Sequence, residues 1–295
     1  MQSMIAAEWR KLLGYSKAIA FLVWIYPIAA LVIVLILSIL PPLLFPSVRE
    51  LASQNGRFWT NDSLAVWQAM SGFPGGTFIR MPFLAFTAIA FAGEYQWGTW
   101  KNIVPRQSRT ALILTKFLVL GVLATVGLLL ASFIITGGGW LSAVLYDVPY
   151  GPALSELDVA AFFQEYVTQA AVTIAGMLIA ASYAALIAMY SRSIMASLLL
   201  SVGVGILEIF FALILAIVGT VTNRPSLTNL FVVTPTYNLD NIRSWLIDGM
   251  GSTGGGLPGF TAVPSLTVSI LIVLLWLVGL LGLTAVFFNR QDITT

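Results

Sequence analysis

Apolar runs of about 20 residues divide this chain, and that is the length a helix needs to cross roughly 30 Å of hydrocarbon. They lie at about 18–40, 77–95, 112–136, 166–190, 195–219 and 266–288. Strands of a membrane barrel alternate apolar and polar residues over about ten positions, and these runs do not. With 59% apolar and only 9% charged residues, a soluble globular domain is excluded. The predicted fold class is an all-α polytopic membrane protein with six transmembrane helices. The polar connectors, roughly 41–76, 137–165 and 220–265, are each too small to hold a core, so residues 1–295 are read as a single transmembrane domain. The first run is long and lacks an obvious cleavage site, so it reads as a span and not as a signal peptide.

Charge sets the expected orientation. With the N-terminus inside, Arg10, Lys11, Lys17, Lys101, Arg106, Arg109, Lys116, Arg192 and Arg290 fall on the cytoplasmic side. Arg49, Arg57, Arg80, Arg224 and Arg243 fall outside, with most of the acids and on much longer loops. That asymmetry follows the positive-inside rule, and both termini are expected in the cytoplasm, as an even number of spans requires. The connector at 137–165 opens with Gly137-Gly138-Gly139-Trp140 and holds Asp147, Glu156, Asp158 and Glu165 without a single Lys or Arg, which marks it as an outside loop.

Residues 3–17, SMIAAEWRKLLGYSK, fit an amphipathic helix in the membrane surface. Ile5, Trp9, Leu12, Leu13 and Ser16 share one side, and Arg10 and Lys11 turn toward water and lipid phosphate. A basic leader that merely orients the first span is the simpler alternative. Pro27 falls inside that span and Pro41-Pro42 is expected to close it. Near the other end of the chain, TPTYNLDNIRSWLIDGM starts on a Pro turn and places Leu239, Ile242, Trp245 and Leu246 at helical spacing. The 235–262 segment reads either as a helix dipping back into the outer leaflet or as an ordinary surface helix.

Several chemistries are missing. No G-x-x-x-x-G-K-[ST] phosphate loop occurs, so ATP hydrolysis is not expected in this chain. Without His or Cys there is no H-E-x-x-H metal site, no Ser-His or Cys-His nucleophile pair, no disulfide framework, and no metal site is expected. The spans contain no Asp, which removes a paired intramembrane aspartyl site. A net charge of +2 is too small to suggest nucleic acid. One ionisable residue, Glu208, lies deep in a span, where such groups face a cavity or a partner, or are protonated. It reads as a residue of a transport path or subunit interface, or as a protonated carboxyl bonded to a neighbouring helix. Arg80 is expected to snorkel outward, and Gly203 and Gly205 would permit close helix approach at a dimer seam.

The connector Glu94–Lys116, EYQWGTWKNIVPRQSRTALILTK, carries Lys101, Arg106, Arg109 and Lys116 against one acid. Gly98 can end one helix, Thr99 can cap the next, and Pro105 can stop it. Lipid-binding topology signals would explain the cations alone; a docking element for a cytosolic partner explains the punctuation as well. Gly93-Glu94, Gly98-Thr99, Ile103-Val104, Pro105, Ser108-Arg109 and Lys116 together resemble the corresponding connector in the membrane subunit of type-2 ATP-binding-cassette (ABC-2) transporters. The resemblance extends over most of the chain, through the N-terminal surface helix, the six spans and the Pro-led excursion before the last span.

That resemblance implies a permease subunit of an ATP-driven exporter in the cell membrane, the plasma membrane of a prokaryote. Its partners would be cytosolic ABC ATPase subunits, a second permease subunit (identical or homologous) and membrane lipid. This chain would hold no cofactor, ATP and Mg being bound by the ATPase. The coupling segment 96–110 would enter a groove of the ATPase through Glu94, Trp97, Gly98, Thr99, Trp100, Lys101, Pro105, Arg106 and Arg109. The N-terminal helix with Trp9, Arg10 and Lys11 would lie alongside, and cargo would pass near Glu208. Trp97 and Trp100 depart from the family pattern in their bulk. The rival expectation is a membrane scaffold or channel-like protein without an ATPase; an enzyme is not expected.

Overall fold

The computed structural model describes residues 5–10, 17–48, 50, 57–71, 75–104 and 108–292. Nearly all of them are helical, as an apolar chain must be to satisfy its own backbone away from water. Residues 5–10 are helical, and α1 spans Lys17–Ile33. It continues through a π-helical stretch, Val34–Ile39, into Leu40–Leu44. A short helix, α2 (Trp59–Ser71), precedes a five-residue helical segment at Gly75–Ile79, α3 (Met81–Gln96) and the four-residue α4 (Trp100–Ile103). The long helices follow: α5 (Arg109–Tyr146), α6 (Val159–Ser191) and α7 (Ile194–Val221). A 3-10 stretch, Pro225–Val233, leads to α8 (Pro235–Ile247), and α9 (Leu266–Arg290) ends the bundle. The β structure among the described residues is one parallel bridge, β1 (Arg57–Phe58) to β2 (Tyr150–Gly151).

Helix starts follow elementary capping. The side chains of Ser108, Asp158, Ser193, Thr234 and Ser265 each accept a hydrogen bond from the amide three residues on, at the heads of α5, α6, α7, α8 and α9. Pro41 and Pro42 do not close α1 at the point expected. Pro42 brings no N–H to the carbonyl of Ser38, and the Ser142 hydroxyl donates there instead, at 3.1 Å. The Tyr146 hydroxyl bonds the carbonyl of Ile39 at 2.5 Å. With these acceptors filled from α5, the helix runs on to Leu44.

Gly137-Gly138-Gly139 also differs from expectation, because α5 continues through it to Tyr146. Close packing is the reason. A Cβ at Gly138 would overlap Val34, and one at Gly139 would overlap the Asp62 carboxylate. The glycines let α1 and α2 approach α5 and do not break it. Arg57 donates to the Ser142 hydroxyl at 3.0 Å, and the Tyr150 hydroxyl lies 3.0 Å from Asp62. Burial, and then the Asp62 charge, push the Tyr150 phenol up from its ordinary value.

The core sits where α3, α5 and α6 meet. Phe86, Phe91, Leu120, Leu128, Ala181 and Ala185 are all buried there, and Trp67 of α2 closes one end. The central helix α6 packs on α2, α3, α5, α7, α8 and α9. By contrast α7 leaves Leu199, Leu207, Leu213 and Ile217 exposed, and α9 leaves Leu271, Leu275 and Val278. An apolar surface this extensive is unstable in water and suits lipid.

Among the described residues, five helices are long and apolar enough to cross a membrane: Trp24–Leu44, α5, α6, α7 and α9. This is the architecture of an all-helical multi-pass membrane protein. The expected span at 77–95 is the exception. It is divided at Arg80 into the five-residue helical segment Gly75–Ile79 and the 16-residue α3, with Pro82 in the first turn of α3. Within the 235–262 segment, α8 packs on its neighbours in the bundle. Leu239 and Ile242 of α8 pack with Val172, Ile179, Val273 and Leu280 of α6 and α9. Buried Asn241 donates to the carbonyl of Pro264 at 2.9 Å and the hydroxyl of Ser269 at 2.8 Å, fixing α8 to the head of α9.

Candidate functional site

At one end of the bundle α3 turns into α5 through a tight, punctuated hairpin. Gly98 takes φ +65°, a left-handed conformation that a side chain disfavours, so α3 can stop at Trp97 and the chain can reverse. The amide of Thr99 donates to the Glu94 carbonyl at 3.0 Å, and its hydroxyl bonds the Glu94 carboxylate. Four-residue α4 is too short to hold its own conformation. It is fixed instead by Trp100, which is 1% exposed with its ring centroid 4.5 Å from that of Phe288 in α9.

Behind the hairpin lies a buried ion triad. Lys116, fully buried, donates from Nζ to Glu94 at 2.7 Å and to Glu8 at 2.9 Å. Its ammonium also lies 5.5 Å from the Trp100 ring and 5.9 Å from the Phe91 ring. Three segments remote in sequence are joined at one cation: residues 5–10, the end of α3 and the start of α5. Desolvating three charges is expensive. Here it is offset by two charge-assisted hydrogen bonds and aromatic contact, and the result is a hairpin whose root cannot drift.

The connector's cations therefore divide. Lys116 is buried and engaged within the molecule, and Arg109, expected near the contact with a partner, is half-buried and engaged through Nη1. Arg109 Nη1 donates to the carbonyls of Phe288 at 2.6 Å, Asn289 at 3.1 Å and Gln291 at 2.7 Å. A guanidinium over the C-terminal carbonyls of α9 suits the helix dipole and ties α9 to α5. Glu94, 1% exposed, likewise positions the hairpin from within the chain. What the hairpin presents outward is Trp97, which is 54% exposed, together with Gly98 and Lys101. The two tryptophans, alike in the sequence, have opposite surroundings. Pro105, Arg106 and Lys11 lie outside the described residues.

The N-terminal segment is described over residues 5–10. Trp9 and Arg10 are exposed, and the residue directed inward is Glu8. It lies three positions after Ile5, which packs against the core. A carboxylate within the inner stripe of an amphipathic helix is the sequence signal for Glu8, and it has meaning only once Lys116 is known to be buried. Gln291 is a second residue the sequence did not single out. Its Oε1 accepts from the Tyr95 hydroxyl at 2.5 Å and its Nε2 donates to the Met189 carbonyl at 2.5 Å, joining the ends of α3, α6 and α9.

Glu208 sits within α7, away from that hairpin. Its carboxylate accepts from the Tyr183 hydroxyl of α6 at 3.1 Å and from the Thr236 hydroxyl at the start of α8. Arg80 does not snorkel outward as expected. Its Nε donates to the carbonyl of Met70 at 3.0 Å, near the end of α2, and its guanidinium lines the same cavity as Glu208. Gly205 serves packing within the chain, since a Cβ there would stand 2.8 Å from Thr77. Gly203 has open space around it. No protein-family model matches the chain, and no curated protein matches it.

Proposed function

We propose that the chain is the permease subunit of an ABC-2 type exporter, with α3 as a sixth span and both termini in the cytoplasm. The observation that carries this reading is the hairpin between α3 and α5: an exposed tip of Trp97, Gly98 and Lys101 on a root locked by Glu94, Lys116 and Glu8. An element that transmits force between subunits needs both features. An exposed aromatic residue beside a cation makes a compact anchor for a partner's groove, and a rigid root passes displacement into the spans. Here it passes into α3 and α5 directly and into α9 through Trp100 and Arg109. The matching residues Gly98-Thr99 and Lys116 support the same reading, as do the cations assigned to the cytoplasm.

In this mechanism ATP and Mg are bound by a separate cytosolic ATPase, whose closure pushes on the α3–α5 hairpin. Two permease subunits form the path. Glu94 and Arg109 act as positioning residues, and contact falls to Trp97 and Lys101. An adjacent reading frame with a phosphate loop is expected. Co-expression with that ATPase should yield a complex that co-purifies. Trp97→Ala should cost roughly 2 kcal/mol or more of association, about thirtyfold, while leaving insertion intact because the side chain is exposed. Failure of the wild-type chain to associate would sink the permease reading and leave a membrane scaffold or channel.

A further inference from the structure

Arg80 and Glu208 share a cavity without pairing with each other. The cavity has two adjoining chambers that share wall residues. The smaller, about 60 Å³, has Ser71, Arg80, Tyr183, Glu208 and Thr236 in its wall. The larger, about 490 Å³, lies toward the loop that follows α8 and is lined on its apolar side by Val172, Ala212, Phe231, Leu239 and Leu257. Ser71, Arg80, Thr236 and Leu239 belong to both, so Arg80 stands at the junction.

The hydrogen bonds around the cavity leave two groups underused. Asp240 is matched, accepting from Arg243 at 2.7 Å and from the Ser252 hydroxyl at 2.6 Å. Glu208 takes one hydroxyl on each oxygen and keeps a free lone pair on each. Arg80 spends Nε on Met70, and among the described residues neither Nη1 nor Nη2 has an acceptor. The guanidinium lies against Gly176, where a Cβ would come within 3.3 Å of Nη2, so its plane is set by the wall of the cavity. A fork held in this way is built for two oxygens of one anion. Ligand sites combine a few such polar groups with an apolar enclosure of several hundred Å³, and the larger chamber supplies one.

We propose that this cavity binds an amphipathic molecule. An anionic oxoacid group, carboxylate or phosphate, sits on Arg80, an adjacent N–H or O–H donor bonds Glu208, and the apolar portion fills the larger chamber. This assignment does not rest on an ATPase partner. It is tested on the purified full chain in a neutral maltoside detergent by equilibrium dialysis against radiolabelled lauroyl lysophosphatidylethanolamine, which carries both head-group features. One saturable site per chain is expected, weakened about tenfold or more by Arg80→Gln and not competed by lauroyl monoglycerol, which lacks the anion. Arg80 also caps α2, so Leu257→Trp provides a second variant; it fills the larger chamber from a loop and should weaken binding even if Arg80→Gln does not fold. Absence of saturable binding, unchanged binding in either folded variant, or competition by the monoglycerol would overturn the proposal. Equal competition by free phosphoethanolamine would reveal a site for a soluble phosphate ester and overturn the amphiphile.

Discussion

Lys116 ties three segments of the chain together, because its ammonium pairs with two buried carboxylates, Glu94 and Glu8. Removing it takes the cation they share away from two buried carboxylates. Lys116→Met is therefore expected to destabilise the protein by roughly 3–5 kcal/mol. Replacing all three residues, Glu8→Gln, Glu94→Gln and Lys116→Met, should recover most of that loss, since the two carboxylates are neutralised together with the ammonium. Thermal unfolding of the detergent-solubilised variants measures both, and equal destabilisation of the single and triple variants would show that the ion pairs themselves, not charge compensation, set the stability. The sequence displayed Glu94 and Lys116 as charges at the two ends of a connector. Their contact was not legible there, because which face of α5 turns inward depends on packing, and Glu8 is joined from 108 positions away. Trp97 and Trp100 make the same point. Their spacing is visible, but only the turn at Gly98 sends one outward and the other against Phe288.

Between elements, the ends of α1, α2 and α5 remote from the hairpin are held by a second polar cluster, Arg57, Asp62, Ser142 and Tyr150. Tyr150 makes its contribution pH-dependent. Its phenol is raised in the folded state by burial and by Asp62, so the folded chain holds the proton more tightly than the unfolded one. The contribution is complete below the ordinary value of 10.0 and is lost as pH rises above it. Tyr150→Phe should thus shrink the fall in melting temperature between about pH 9 and pH 11, and an undiminished fall would remove Tyr150 from the cause. Helix positions at this scale were largely legible, since apolar runs locate α5, α6, α7 and α9 and Ser or Asp caps mark their starts. Their ends were less so. The glycine run at 137–139 and the proline pair at 41–42 carry strong break signals, and both are overridden by contacts between α1, α2 and α5. Such contacts join residues far apart in the chain and leave no local trace.

For the molecule as a whole, composition alone fixed the class, because no chain so apolar can hide its residues in one core. The number of spans is a finer matter. The helix α3 is deeply packed, and with 16 residues it is shorter than the α5 and α6 it packs between. In the proposed mechanism α3 is the span that receives the push, with its far end at Arg80 and the two-chamber cavity. One rigid helix would then link the partner's groove to the ligand. The chain has no Cys, so a single introduced thiol is a unique chemical handle. Lys101→Cys at the exposed tip of the hairpin, coupled to a maleimide-benzophenone and irradiated in membranes that also contain the adjacent phosphate-loop ATPase, should form a cross-linked product with that ATPase. The same label at Thr253→Cys, in the loop after α8, should not. An adduct from Lys101→Cys confined to lipid, or one with the ATPase from Thr253→Cys alone, would contradict the hairpin's role as the point of coupling.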